Sequence, residues 1–490
     1  MKDLKTIENI IEKFHYENNL LFWKYSTGEL ENDVYKEKCK IQNKEENEFF
    51  NDKEINKFLF NLWNSKNTKR KKEMREISLL YRYYVYEFIN NNPLLRELIS
   101  EATTIIKNNL FTLDGKEVTE KELRKEIENS KSIEEIRKKE YVFTQMQKYN
   151  KLALDIVNLR NSLAREKGFS SFFEVYLFRY ELDNKYVVKI CSLYIDSLKK
   201  YIKKIDRKKR ENEFWKMNQE IEKRLKKEDA IITLRKLINK WGVKQDKNVK
   251  VLVDKEGKSN FPWNYCIPIL IPNDVRIYLY PDKSISSYYY SLFHEFGHAL
   301  HYSNINEKKF IFKLNPPWYD EAMAALVDKF LSLDESVSYF VKDSEVKEIV
   351  KGLSQSEDYI SYAHRITEFE FEMNLYSGKE WEEENLNKFQ KNIYWKNLKI
   401  EKKVPDWAHF ILHSSEEPLY GISYLLANTI ANRIISHIYK KYGKYLLPQS
   451  YAFLKENFLK KGNSEKWKEK MKIVDGNPLD ISYFWGVQNS

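Results

Sequence analysis

The segment SLFHEFGHALHY, residues 291–302, constrains the fold of this chain more than any other stretch. His294 and His298 are four residues apart, so in an α-helix they lie on the same face, one turn from each other. That spacing lets both imidazoles reach one zinc ion at about 2.0–2.1 Å. Glu295 lies between them, where its carboxylate can reach a water molecule at the zinc but not the zinc itself. The segment therefore predicts a helix whose metal needs a third ligand from elsewhere in the chain.

The same segment also indicates a chemistry. H-E-x-x-H on a helix is the signature of zinc peptidases, in which the glutamate acts as the general base. We therefore predict one zinc ion (Zn²⁺) per chain, with His294 and His298 as ligands and Glu295 as the base that takes a proton from the attacking water. The longer pattern H-E-x-x-H-x-x-G-x-x-H does not occur in the sequence, which excludes the metzincin class.

The third zinc ligand is Asp320 or Glu321, at the start of an alanine-rich stretch, YDEAMAALVDKFL, that suits a helix crossing another closely. We favour Glu321, because Asp328 then lies seven residues later on the same helix face. From there, Asp328 can accept a hydrogen bond from a zinc-bound histidine. His301 shares the face of His294 but lies about 10 Å along the helix axis, so it cannot bind the same zinc and we expect a structural role.

Composition indicates the main type of secondary structure and the cellular compartment to expect. Only 13 glycines and 11 prolines occur in 490 residues, which favours helices over long flexible linkers. The three cysteines are scattered, which argues against a disulfide framework and for a reducing compartment. The N-terminus lacks the apolar core of a signal peptide, and no apolar run reaches the roughly 18 residues that span a bilayer. We therefore expect a cytoplasmic protein without a membrane partner.

The charge distribution leaves one non-enzymatic alternative open. The net charge is +11, a modest surplus for this length that solubility explains. Eight of the twelve residues from Lys199 to Arg210 are Lys or Arg, a run that either forms a solvated helix face or attracts acidic ligands. A protein that binds nucleic acid or a membrane surface through this run would show steep salt dependence. Since no nucleic-acid motif accompanies the run, we expect no nucleic-acid partner; the sequence does not indicate the oligomeric state.

Apolar periodicity divides the chain into two helical parts around a short strand-rich region. Residues 1–240 contain one amphipathic helical pattern after another. Over about 249–280, β-branched and aromatic runs bounded by Pro, Asn and Asp predict a small antiparallel sheet, in which VRIYLY could pair with an extended peptide. Helical patterns then continue to about residue 472. We predict a mainly α fold, with an N-terminal helical lobe (1–240) and a catalytic lobe (241–490) that do not fold independently.

Longer stretches of the chain resemble a known group of enzymes. HEFGHALH, followed about two dozen residues later by Glu321 on an alanine-rich helix, resembles the oligopeptidase F and thimet oligopeptidase family and the related angiotensin-converting enzyme family. The stretch WAHFILHSSEEPLYGISYLLA is similar to the family block with a catalytic His and Tyr residues, and places His413, Tyr420 and Tyr424 at its spacing. Weaker likeness extends over most of the chain, at residues 20–29, 159–175 and 451–467.

The resemblance implies two helical lobes that flank a deep substrate channel, with zinc at its floor and short peptides as substrates. It also implies that His413, Tyr420 or Tyr424 donates a hydrogen bond to the oxyanion. Two positions depart from the converting-enzyme pattern: Ile411 replaces a lysine that binds the substrate carboxylate, and Ile422 replaces a chloride-binding arginine. We therefore expect a zinc-dependent oligoendopeptidase. The alternatives are a metallocarboxypeptidase or a dipeptidyl carboxypeptidase of the same architecture.

Overall fold

The computed structural model describes residues 3–65, 71–130, 132–202, 207–244, 248–253, 264–280, 284–474, 477 and 480–484. Most of these residues are helical, which confirms the predicted mainly α class. The helices of the first half are α1 Leu4–Ser26, α2 Asn32–Phe50, α3 Lys53–Asn64, α4 Lys71–Asn90, α5 Pro93–Asn108, α6 Glu120–Glu128, α7 Ile133–Glu140, α8 Asn150–Glu166, α9 Phe172–Arg179, α10 Asn184–Ile202, α11 Arg207–Arg224 and α12 Lys227–Trp241.

The helices of the second half are α13 Ile285–Asn304, α14 Pro317–Asp328, α15 Asp334–Phe340, α16 Ser344–Leu375, α17 Glu383–Leu398, α18 Trp407–His413, α19 Gly421–Tyr442, α20 Pro448–Leu454 and α21 Trp467–Met471. Short 3₁₀ segments occur at Tyr141–Tyr149, Phe310–Phe312, Lys329–Leu331, Gly462–Ser464, Lys472–Val474 and Ile481–Tyr483, and a π-helical turn at Lys455–Leu459. Among the described residues, none of these helices combines the length and apolar character needed to cross a bilayer.

Local sequence signals explain where several of these helices begin. The side chain of Asn92 accepts hydrogen bonds from the first backbone N–H groups of α5, and Pro93 occupies the first helical position. Thr119 and Glu122 form a reciprocal capping box at the start of α6. Pro317 opens α14 in the same way as Pro93 opens α5. These helices therefore begin where a side chain accepts hydrogen bonds from the free N–H groups of the first turn, or where a proline has no N–H group to satisfy.

The strand-rich region is a mixed sheet rather than the predicted antiparallel one. Strands β3 Val249–Val253, β5 Asp274–Leu279 and β4 Tyr265–Leu270 lie side by side in that order. A short turn joins β4 to β5, so these two pair antiparallel, whereas β3 joins the other edge of β5 and runs parallel to it. A two-stranded hairpin that the sequence pattern did not predict, β1 Leu110–Leu113 with β2 Lys116–Thr119, precedes α6.

The position of β5 also corrects an expectation about substrate. VRIYLY lies in and after β5, and β5 is the central strand of the sheet. Its backbone groups already bond to strands on both sides, so this strand cannot accept an added peptide strand. On the β4 side, the amide of Asn19 in α1 donates to the carbonyl of Pro268 over 2.9 Å. Strand pairing by a substrate would therefore need a different edge from the predicted one.

Helices α13 and α14 cross with almost no side chain between them. A Cβ atom placed on Gly297 would lie 2.6 Å from both the Cα and the carbonyl oxygen of Ala324, which is closer than real Cβ contacts occur. Alanines 322, 324 and 325 of α14 are all buried at this side of the molecule. The close crossing predicted from the alanine-rich sequence is therefore present, and it brings the backbone of the H-E-x-x-H helix against α14.

The hydrophobic core is shared between the two halves of the chain. One cluster of buried side chains contains Ile156 and Tyr194 from the first half together with Leu292, Trp318 and Leu425 from the second. The division into lobes 1–240 and 241–490 stays a prediction. The basic run from Lys199 to Arg210 lies across the end of α10 and the start of α11, and most of its side chains are outside the described residues, so its function as a binding surface also stays a prediction.

Candidate metal centre

The structure brings together three of the side chains predicted to bind zinc. In α13, the rings of His294 and His298 lie edge to face, nearly perpendicular, with centroids 4.8 Å apart. From α14, Glu321 places Oε2 at 3.2 Å from His294 Nε2 and Oε1 at 3.8 Å from His298 Nε2. One ligand atom from each of the three residues lies within 4.8 Å of the other two. Ligands around a tetrahedral zinc are about 3.3 Å apart, so this arrangement is close to that of a bound ion.

The charges and hydrogen bonds of the cluster fit a divalent cation. Glu321 Oε2 is buried and receives no hydrogen bond from any described residue. Burial alone would raise the pKa of Glu321, but the adjacent histidines and the hydroxyl of Tyr420 lower it to about 2, so the side chain is a carboxylate. Burial lowers the pKa of His298 to about 4, so its imidazole is neutral. A buried carboxylate beside a neutral imidazole is a donor set that zinc prefers.

His294 is oriented by a second carboxylate. Its Nδ1 lies 3.0 Å from Oδ2 of Asp328, which leaves Nε2 facing Glu321. Burial would lower the pKa of His294, but the carboxylates of Asp328 and Glu321 hold it well above its usual value. A metal ion binding here would therefore displace a proton from Nε2, while Asp328 keeps the ring in place. The arrangement matches the contact predicted for Asp328 from the sequence.

The neighbouring acidic residue and the third histidine of the segment form a separate pair. His301 is fully buried, and its Nε2 lies 3.1 Å from Asp320 Oδ1 and 3.0 Å from the amide of Asn315. The other oxygen of Asp320 accepts a hydrogen bond from Tyr302 over 3.3 Å. Asp320 is therefore engaged away from His294 and His298, and Glu321 is the carboxylate that faces them.

Two tyrosines of the predicted block lie against this cluster. Tyr420 donates a hydrogen bond to Glu321 Oε1 over 2.6 Å, and its ring is 5.3 Å from that of Tyr424. Burial, followed by the charge of Glu321, raises the pKa of both phenols, and Glu295 raises that of Tyr424 further. Both phenols therefore keep their protons at neutral pH and can donate a hydrogen bond. Glu295 itself is half-buried, between the two histidines.

Sequence reasoning missed an arginine beside these tyrosines. The guanidinium carbon of Arg365, in α16, lies 3.6 Å from the centre of the Tyr424 ring. Its Nε also donates to the hydroxyl of Ser361 over 3.1 Å, within the same helix. No local pattern identifies Arg365, because it comes within reach of Tyr424 only when α16 packs against α19.

The turn that carries Tyr420 is stabilised by a residue of α16, the helix that also carries Arg365. Leu419 has a left-handed backbone conformation, with φ of 67°, which is strained for a residue with a branched side chain. Its backbone N–H donates to Oε1 of the buried Glu372 over 2.8 Å, and burial raises the pKa of Glu372 to about 8. Glu372 therefore stabilises the strained turn from which the Tyr420 side chain reaches Glu321.

His413 lies in a different cluster from the other predicted site residues. Its Nε2 is 3.0 Å from Oε2 of Glu120, and its ring centroid is 4.4 Å from that of His409. Among the described residues, its hydrogen bonds and ring contacts do not include His294, His298 or Glu321. The predicted role of His413 as a donor to the oxyanion therefore stays a prediction, and Glu120 is a partner that the sequence did not indicate.

Comparisons with known proteins give a fold but no sequence relative. No protein-family model matches the chain, and no curated protein is significantly similar in sequence. An oligoendopeptidase F structure superposes with a TM-score of 0.71 at 16% identity, over 98% of this chain and 89% of that chain. A Pyrococcus furiosus carboxypeptidase gives 0.67 at 15%, over 99% and 98%. The M32 carboxypeptidase from Deinococcus radiodurans R1 gives 0.66 at 12%, over 98% and 96%. The chain therefore has the fold of these peptidases.

Proposed function

We propose that this protein is a zinc-dependent metallopeptidase that hydrolyses peptide bonds in short peptides. The observation that carries the proposal is the convergence of His294, His298 and Glu321, with Glu295 between the two histidines on the same helix. The fold shared with oligoendopeptidase F and metallocarboxypeptidase structures supports the same conclusion. Each side chain has the chemistry that the H-E-x-x-H motif requires at its position.

The proposed mechanism assigns a separate task to each group. Bound zinc would supply a Lewis acid that lowers the pKa of a coordinated water toward about 7. Glu295 accepts the proton of the attacking water and then delivers it to the nitrogen of the leaving amine. Asp328 holds His294 through Nδ1, which leaves Nε2 as the nitrogen that would bind the metal. Glu321 contributes the negative charge that balances the cation.

The oxyanion of the tetrahedral intermediate needs donors from the protein. Tyr420 and Tyr424 fit this task, because buried phenols with raised pKa values stay protonated and cannot repel the developing charge. Tyr420 already contacts the ligand Glu321, which places its hydroxyl at the edge of the proposed site. His413 is a further candidate donor by its family resemblance, and in this structure it pairs with Glu120 instead.

An oligoendopeptidase is the first candidate within this class. The positions at which the converting enzymes carry a lysine and an arginine are Ile411 and Ile422 here, and both are buried in the core. Neither can bind the terminal carboxylate of a substrate, which argues against release of C-terminal dipeptides. We also propose that the two lobes flank a channel that admits peptides of roughly 5 to 20 residues but not folded proteins, by analogy of fold.

A metallocarboxypeptidase is the second candidate, and Arg365 is the observation that favours it. Its guanidinium lies over Tyr424, beside the proposed site, where it could pair with a free C-terminal carboxylate. Peptides with amidated C-termini distinguish the two candidates. An endopeptidase still cleaves an amidated peptide, whereas a carboxypeptidase does not. Retained cleavage in an Arg365→Gln variant would further favour the endopeptidase.

The experiment that tests the proposed function is product mapping on a mixed peptide library by mass spectrometry. The enzyme is assayed as purified, after treatment with a chelator, and after zinc is restored. We expect cleavage that is lost on chelation and regained with zinc, and no digestion of a stably folded protein under native conditions. Cleavage that is insensitive to the chelator would contradict a metal-dependent mechanism.

A further inference from the structure

A second cluster of metal-binding side chains lies outside the proposed active site. Glu120, at the start of α6, faces His409 and His413, one turn apart in α18. Glu120 Oε2 is 3.0 Å from His413 Nε2, and Glu120 Oε1 is 3.7 Å from His409 Nε2. One ligand atom from each residue lies within 4.8 Å of the other two. Two imidazoles and a carboxylate are a donor set for zinc and for similar transition metals.

The second cluster repeats the geometry of the first one. In both, two histidines four residues apart on one helix meet a glutamate near the start of another helix. The nitrogen–oxygen distances are 3.0 and 3.7 Å here, against 3.2 and 3.8 Å at His294 and His298. The ring centroids are 4.4 Å apart here, against 4.8 Å there. A spacing that suits one zinc in the first cluster therefore suits one in the second.

The surroundings hold the ligand atoms in place. Arg124 Nε donates to Glu120 Oε1 over 2.8 Å, which orients the carboxylate and leaves Oε2 facing His413. The His409 ring stacks on Phe143 with centroids 4.3 Å apart. Its Nε2 is buried and takes part in no hydrogen bond with a described residue, so its ligand position is open to a cation. The side chain of His413 is 29% exposed, which leaves a route from solvent.

The charges nearby are compatible with a bound cation. Glu120 is buried and supplies the carboxylate of the cluster, opposite the two imidazoles. Arg124 is the cation that faces the cluster most directly, and it binds the oxygen on the far side of the carboxylate from His413.

We propose that Glu120, His409 and His413 bind a second zinc ion, which clamps α6 of the first half of the chain to α18 of the second. The residue after His409 is Phe410, whereas the residue after His294 is Glu295. The second site therefore lacks the general base that hydrolysis needs, and its metal is structural. None of these ligands binds the first metal, so the inference does not depend on the proposed peptidase activity. It does remove His413 from the candidate oxyanion donors, because a metal would occupy its Nε2.

Zinc titration of the apoprotein tests the second site. The full-length chain is stripped with a chelator, and zinc is added while bound metal is measured per chain. We expect two equivalents for the wild type, one for His409→Gln and one for Glu321→Gln. The double variant should bind none. His437→Gln, which removes a histidine outside both clusters, should still bind two.

The number of zinc ions bound by each variant shows whether the second site exists and which residues form it. One equivalent in the wild type that is lost in Glu321→Gln would overturn the second site and leave the proposed function standing. Two equivalents in His409→Gln would overturn the assignment of ligands. Circular dichroism verifies that the variants fold. Glu120→Gln, which keeps the shape of the side chain, is a second variant that removes a ligand of the proposed site. Binding of two zinc ions by folded Glu120→Gln would also overturn the proposal.

Discussion

The two tyrosines at the proposed catalytic centre differ in the side chains that they contact. The Tyr420 hydroxyl bonds directly to the proposed ligand Glu321, whereas the Tyr424 ring lies beneath the guanidinium of Arg365. Tyr420 can therefore act both on the ligand and on substrate. Tyr424 has a nearby positive charge that would assist in stabilising an oxyanion.

Removing these hydroxyl groups tests whether they act in the transition state. We predict that Tyr420→Phe and Tyr424→Phe keep their zinc and their fold, because each loses only one polar atom. At least one of them should lose about 10²–10³ in kcat with little change in KM, the pattern of an interaction made only in the transition state. Steady-state kinetics measures kcat and KM, and metal analysis of the same samples measures zinc content. If both variants turn over at near wild-type rates, the tyrosines are packing residues and the oxyanion donor is another residue.

At the scale of elements, the proposed metal centre depends on how closely α13 and α14 cross. Glu321 reaches the histidines because Gly297 lets the backbone of Ala324 lie directly against α13. The glycine stands inside the H-E-x-x-H motif, next to His298. Its function in packing is therefore inseparable from the position of the ligands.

Adding one methyl group at this crossing should separate the ligands. We predict that Gly297→Ala lowers both zinc content and the free energy of unfolding, the latter by about 1–3 kcal/mol, because the Cβ would overlap the backbone of Ala324. Gly352→Ala is the matched control, since a Cβ there meets only the flexible end of Met217 at 3.1 Å. Chemical denaturation and metal analysis of both variants make the comparison. Full zinc content in Gly297→Ala would show that the helices can move apart without disturbing the site.

At the scale of the whole molecule, one buried lysine couples stability to pH. Lys470 is 1% exposed, its ammonium group donates to the carbonyl of Gly462, and it lies 3.9 Å from the centre of the Tyr319 ring. Burial lowers the pKa of Lys470 to about 7 from a usual 10.5. Between these values the unfolded chain binds the proton and the folded chain does not.

Replacement of this lysine should therefore change the pH dependence of unfolding. Below pH 7 both states are protonated, so the folded protein is destabilised most there, and the free energy of unfolding rises as the pH increases from 7 toward 10. We predict that Lys470→Met is stabilised relative to the wild type most at low pH, and that the difference shrinks over that range. Urea denaturation of both proteins at pH 6, 8 and 9.5 measures this difference in the free energy of unfolding. A difference that does not change with pH would contradict a depressed pKa.

The sequence was most informative where a function depends on neighbours along one helix. His294, Glu295 and His298 form their pattern within one turn and a half of a single helix, so this pattern could be read locally. Glu321 could be proposed as the third ligand because only two acidic residues begin the alanine-rich helix. Each of these predictions needed only the spacing of a single element.

The rest depends on packing that no local pattern records. Glu120 and His413 are 293 residues apart, and Arg365 reaches Tyr424 only through the packing of two long helices. The direction of β3 depends on which edge of β5 it joins, and a run of alternating valines is the same for either direction. The hairpin before α6 was missed because its strands, Leu110–Leu113 and Lys116–Thr119, are too short for a clear alternating pattern.

The most direct test of the proposed centre measures zinc content and peptide turnover on the same samples of the wild type, Glu295→Gln and Glu321→Gln. Glu295→Gln should bind as much zinc as the wild type while losing about 10²–10⁴ in turnover, because a general base is removed and the ligands are intact. Glu321→Gln should bind one zinc fewer than the wild type and lose turnover as well. Wild-type turnover in Glu295→Gln, or wild-type zinc content in Glu321→Gln, would contradict the assignment of His294, His298 and Glu321 as the catalytic metal centre.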